Sequence, residues 1–168
     1  MRRRRPALLL LAALALPARA EERLRNWFDD PFFPIAAALP DCPEPAGPRT
    51  SEAEKRQQTH HRAERGTSCW LAGQCARPNS YAYDADIAQA LKAALARRGP
   101  ITEASLWVTV QGRIVFLEGC ARRPALGSEL EALARALPDV QQVIVDVYPG
   151  PPARPGYRLV DPLKPLGH

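Results

Sequence analysis

Cys69 and Cys75, preceded by His60 and His61, are the side chains whose types and spacing come nearest to a metal or redox centre. Zinc would take all four as a tetrahedral set. Adjacent histidines, however, point to different sides of a helix, and the spacing matches no familiar zinc module, so the pair reads as solvated histidines beside a disulfide. Cys69-Trp70 to Cys75 is also too wide for the Cys-x-x-Cys pair of a thiol-disulfide enzyme. Cys42, Cys69, Cys75 and Cys120 form an even set, which in an exported chain points to structural disulfides. Four cysteines allow three pairings. The expected one closes a short loop between Cys69 and Cys75 and staples the front of the protein to the domain behind it through Cys42 and Cys120.

No set of nucleophile, base and metal ligand converges elsewhere. Ser105 and Ser128 stand in no motif, the region 83–148 contains no histidine, and Asp84, Asp86, Glu129 and Glu131 fall at helix starts, where acids favour the helix dipole. The chain is therefore expected to be no enzyme and to need no cofactor or metal. Surfaces remain. Arg97-Arg98 and Arg122-Arg123 adjoin element ends and are placed to share one rim, where they would meet anionic phospholipid or an envelope protein.

The charge balance argues against nucleic acid. The chain has 23 Lys and Arg against 18 Asp and Glu, but residues 1–20 hold five of the arginines and no acid, which leaves 18 bases against 18 acids in the rest. The basic isoelectric point thus belongs to the leader. In that leader, Arg2 to Arg5 precede the apolar run Ala7 to Leu16, then Pro17 and Ala18-Arg19-Ala20, the layout of a secretory signal peptide cleaved after Ala20. The run is too short to cross a bilayer, which takes about 20 apolar residues, and no second run could anchor the chain. No cysteine at the cleavage point could accept a lipid. The adjacent arginines raise twin-arginine export, but the sequence around them lacks the rest of that pattern, and the general secretory route fits better. The expected destination is the periplasm.

Five segments follow from these signals: the leader 1–20, a Pro- and aromatic-rich irregular stretch 21–50, a polar helix and cysteine loop 51–82, a regular domain 83–148 and a Pro-rich tail 149–168. In 21–50, the prolines leave no room for a long helix or central strand. Ser51-Glu52-Ala53-Glu54 is a capping box and Gly66 a stop, yet the helix between them has no apolar face to bury. From Asp84, Ile87, Leu91, Ala94 and Leu95 recur at helical spacing until Gly99-Pro100. Leu106, Val108 and Val110 alternate up to Gln111-Gly112, and Ile114-Val115-Phe116-Leu117 returns as a hairpin. Leu126, Leu130, Leu133 and Leu137 form a second helical stripe, and Val143, Val145 and Val147 a last strand. The tail is expected to be flexible or extended.

The stretch from Asp84 to Tyr148, with Leu117-Glu118-Gly119 in its hairpin and Pro138-Asp139-Val140 before its final strand, resembles a BON domain. The resemblance implies an α+β sandwich in the order αββαβ, a three-stranded mixed sheet with two helices on one face, and a non-enzymatic role at membranes through phospholipid binding or support of the envelope. Two departures stand out: one copy is visible where the family usually has two or a companion module, and the hairpin turn runs one residue long if Leu117-Glu118-Gly119 is the anchor. With that anchor, Val115 and Leu117 face the helices, and Trp107, Ile114, Phe116 and Ile144 face away. Such an apolar outer face is expected to be covered by Trp27, Phe28, Phe32 and Phe33, held by the Cys42 to Cys120 bond; the alternative is a structural or scaffolding protein that makes protein contacts through this face.

Overall fold

The computed structural model describes residues 23–160. The expected leader, 1–20, lies outside the described residues, as do the last positions of the tail, 161–168. In chain order the elements are β1 (Phe32–Ala37), α1 (Glu52–Glu64), α2 (Thr67–Leu71), α3 (Asp84–Arg98), β2 (Ala104–Gln111), β3 (Ile114–Ala121), α4 (Ala125–Arg135) and β4 (Gln142–Tyr148), with a 3-10 turn at Ser80–Tyr83. The sheet order is β1-β2-β3-β4. β2 and β3 form the antiparallel hairpin, while β4 returns parallel to β3 through α4, as a strand pair joined by a crossover helix must.

Period-two and period-3.6 patterns meet in one core. Leu106, Val108, Val110, Val115 and Leu117 from the hairpin pack with Ile87 and Leu91 of α3 and Leu126 and Leu130 of α4, all essentially fully buried. The register is the one that the Leu117-Glu118-Gly119 anchor requires. Gly119 itself sits at φ 136°, and a Cβ there would lie 2.2 Å from the Ser105 carbonyl oxygen on β2. Only glycine fits. At the hairpin turn, Gly112 and Arg113 have φ of 62° and 68°, the two-residue left-handed turn whose twist matches that of the strands it joins. Asp84 explains how Arg113 tolerates this: its buried carboxylate accepts the N–H groups of Gly112 (2.6 Å) and Arg113 (2.8 Å), pinning the turn to the start of α3.

The sheet has four strands where three are expected. The added strand, β1, comes from the segment read as irregular, and it runs antiparallel along the edge of β2. An edge tolerates Pro34 because one side of the strand has no ladder to feed, and the register slips between Pro34 and Ala36 in a bulge. Phe33, Ile35 and Ala36 then pack against the core.

The second correction concerns the face away from the helices. Of the four N-terminal rings, Phe33 turns to the helix side beside Val108, while Phe32, paired with Thr109, lies on the outer face; Phe28 lies against Arg62, and the Trp27 indole donates to the Thr50 carbonyl (2.8 Å). The Pro-rich segment after β1 is joined to that face as well. Cys42 is bonded to Cys120 of β3, and Leu39 exchanges two hydrogen bonds with the Ser105 side chain, at 2.8 and 2.9 Å. The tail is bound to the same segment. Tyr157 is buried and donates to the Pro43 carbonyl (2.9 Å), and Pro45 pairs with Leu159 in an isolated bridge.

α1 has the capping box read from Ser51 and Glu54. It is docked without an apolar face, by a buried Arg62 that grips Asp30 and stacks on Phe28 and Tyr81. The remaining disulfide joins Cys69 to Cys75 and closes the loop that begins in α2.

Candidate functional site

The end of α3 and the start of α4 meet at one rim of the sandwich. Gly99 ends α3, and β3 turns into α4 through Arg122-Arg123-Pro124, so two arginine pairs are brought to neighbouring element ends. Arg98 and Arg123 converge: Arg98 Nη2 lies 3.0 Å from Glu129 Oε2, and Arg123 grips both oxygens of the same carboxylate. The hydrogen bonds from Arg123 and then Arg98 hold the Glu129 carboxyl well below the usual carboxylate range. Arg97 and Arg122 are exposed and do not share in this cluster.

Beside the arginines lies a small cleft lined by Arg98, Thr102, Glu103 and Arg123. It shares Pro100 and Ile101 with an apolar groove of about 490 Å³ between β1 and the end of α3, lined also by Phe33, Ile35 and Leu95. The Lys92 ammonium stands 4.3 Å from the centre of the Phe33 ring at the groove's edge. A concave apolar surface next to paired guanidinium groups can take a ligand with an anionic head and an apolar body. Sequence reasoning found the arginines and missed the groove, because one wall of it is β1. The period-two placing of Phe33 and Ile35 was the available signal, and the intervening Pro34 masked it.

Trp107, Ile114 and Phe116 are not brought to this rim. They lie on the opposite face of the sheet, each half-buried, with Ile144 37% exposed beside Phe116. Glu118 shares that face, next to Trp107 on β2 and Asp146 on β4. Burial, with the like charge of Asp146, pushes its carboxyl up to about 7, against partial relief from Arg158.

That placement makes stability depend on pH. In the unfolded chain Glu118 ionises near its ordinary 4.5, whereas the folded protein holds the proton to about 7. Its contribution is full below the lower value and is lost as pH rises to the higher one. Glu118→Gln is expected to flatten this loss and to leave the protein more stable at pH 8, on the order of 1–2 kcal/mol once solvent screening is allowed for. Thermal melts of both proteins from pH 4 to pH 8 check it. Asp84, pushed up to about 6 chiefly by burial and opposed by the N–H groups of Arg113 and Gly112, adds a like slope below pH 6 that the variant keeps.

Cys69 and Cys75 are engaged with each other, and His60 pairs with Glu64 at 3.3 Å, so the four residues do not gather as ligands. Among the described residues, no group of three or more His, Cys, Asp or Glu is placed to hold a metal ion, and no helix is long and apolar enough to cross a membrane. Comparison with known proteins finds no curated protein and no solved structure similar to the chain. Residues 83–147 match the family model of the BON domain.

Proposed function

We propose that this chain, a BON-domain protein, is a non-enzymatic phospholipid-binding module of the cell envelope, exported to the periplasm. The observation that carries the reading is the convergence of Arg98 and Arg123 in the small cleft that shares Pro100 and Ile101 with the apolar groove on that domain. Two disulfides suit an oxidising compartment, and the layout of residues 1–20 suits export. The phosphate of a lipid would meet Arg98 and Arg123, with Arg97 and Arg122 adding long-range attraction and the groove taking apolar surface. Glu129 would then act as a counter-ion that the phosphate displaces.

Flotation with phosphatidylcholine vesicles containing phosphatidylglycerol, at low and moderate salt, tests this. The protein is expected to float at low salt and less so at moderate salt. Arg98→Ala/Arg123→Ala should weaken binding about thirtyfold, since each basic residue near an anionic surface contributes about 1 kcal/mol. Failure to float at either salt would refute the lipid reading and favour protein contacts through Trp107, Ile114 and Phe116.

A further inference from the structure

We propose that the loop closed by Cys69 and Cys75 is a second membrane contact, outside the BON domain, which places Trp70 and Leu71 in the interfacial layer of a phospholipid bilayer. The inference rests on the reading that the protein works at a lipid surface, and the experiment below separates the two.

Among the described residues only four large apolar side chains are exposed, and two of them are adjacent here: Leu71 is 82% exposed and Trp70 45%. Neither packs against the hydrophobic core. The loop projects. Gly66, with φ 87°, turns the chain out of α1, and a Cβ built at Gly73 would meet nothing within 4 Å. The disulfide fixes the apolar pair in place, so little ordering entropy remains to be lost on contact.

The chemistry of the loop selects the occupant. From Gly66 to Ala76 no residue is charged, Arg77 follows the stretch, and the Arg65 guanidinium before it lies against Gly112 of the hairpin turn. A bilayer interface asks for this arrangement: an indole at the boundary of headgroup and acyl chain, an aliphatic side chain below it, and cations at the level of the phosphates. A specific protein contact would instead be expected to surround the tryptophan with charged or directional polar groups, which the loop lacks. Arg77 pairs with Asp86 at the surface, a link weak enough to yield to a phosphate. Two apolar side chains alone bind a membrane weakly, and the loop lies by the hairpin-turn end of α3 while the arginine rim lies at its other end, so both meet one bilayer only with α3 lying along it.

The full oxidised chain is mixed with phosphatidylcholine/phosphatidylglycerol vesicles, with and without brominated acyl chains, and tryptophan fluorescence is read. Brominated lipid is expected to quench the wild type and to leave Trp70→Phe nearly unquenched, which separates Trp70 from Trp27 and Trp107. Trp70→Ser/Leu71→Ser should lose about tenfold or more in flotation, as expected when two side chains stop burying apolar surface, with an unchanged melting temperature because neither is packed. Cys69→Ser/Cys75→Ser should bind more weakly than wild type. If the serine double variant floats as well as wild type and Trp70→Phe is quenched equally, this inference is wrong while the reading of the arginine rim stands. If the wild type does not bind vesicles at all, both fall.

Discussion

Replacing Cys42 and Cys120 together by alanine is expected to destabilise the protein by about 4–5 kcal/mol, the entropy of a closed loop this long. The bond spans 78 positions, against 6 for Cys69–Cys75, whose loss should cost only about 2–3 kcal/mol on the same scale. Size makes the difference matter. A domain of about 65 residues buries only about 60% of its extended-chain surface, and net stabilities of about 5–15 kcal/mol are usual even for larger proteins. The bond also holds the segment that reaches the outer face of the sheet at Ser105, so its removal frees that segment as well as enlarging the unfolded ensemble. Urea melts without reductant, with ANS fluorescence alongside, measure both effects. The midpoint for Cys42→Ala/Cys120→Ala should fall well below that for Cys69→Ser/Cys75→Ser, and only the former should bind the dye. Equal midpoints would mean that the long staple carries no special share of the stability.

The helices and strands from Asp84 onward were legible because each obeys one period and ends at a recognisable stop. Ile87 and Leu91 repeat at helical spacing until Gly99, and Leu106, Val108 and Val110 alternate until Gly112. Leu117-Glu118-Gly119 was legible as an anchor, although its physical reason is long-range: Gly119 is required by the backbone of a different strand, at Ser105. β1 was hidden because proline statistics describe central strands, and an edge with a bulge escapes them. The arginine rim was half legible. Four arginines at element ends could be seen, but a local pattern does not say that Arg98 would join Arg123 on Glu129, 31 positions away from it. Asp84 was legible as an acid at a helix start, but not that its carboxylate serves the hairpin turn.

The contact furthest from legibility is the one between Asp30 and Arg62, and Asp30→Ala is expected to cost about 3–5 kcal/mol, the range for removing one partner of a buried ion pair. Asp30 takes Arg62 through both carboxylate oxygens and also accepts from Gln111 Nε2 at 2.7 Å, so it ties α1 to the end of β2. Both charged residues are buried. Alanine would leave the guanidinium between Phe28 and Tyr81 without its bonded carboxylate and the Gln111 amide without this acceptor. The penalty therefore belongs mostly to the orphaned arginine and not to the lost attraction. That distinction can be measured: adding Arg62→Met to Asp30→Ala should restore a large part of the stability, because an apolar side chain of similar length removes the buried charge and keeps the stacking volume. Urea melts of the two single variants and the double variant form the cycle. Additive losses would show that the two residues act independently and that α1 is docked by something other than this pair.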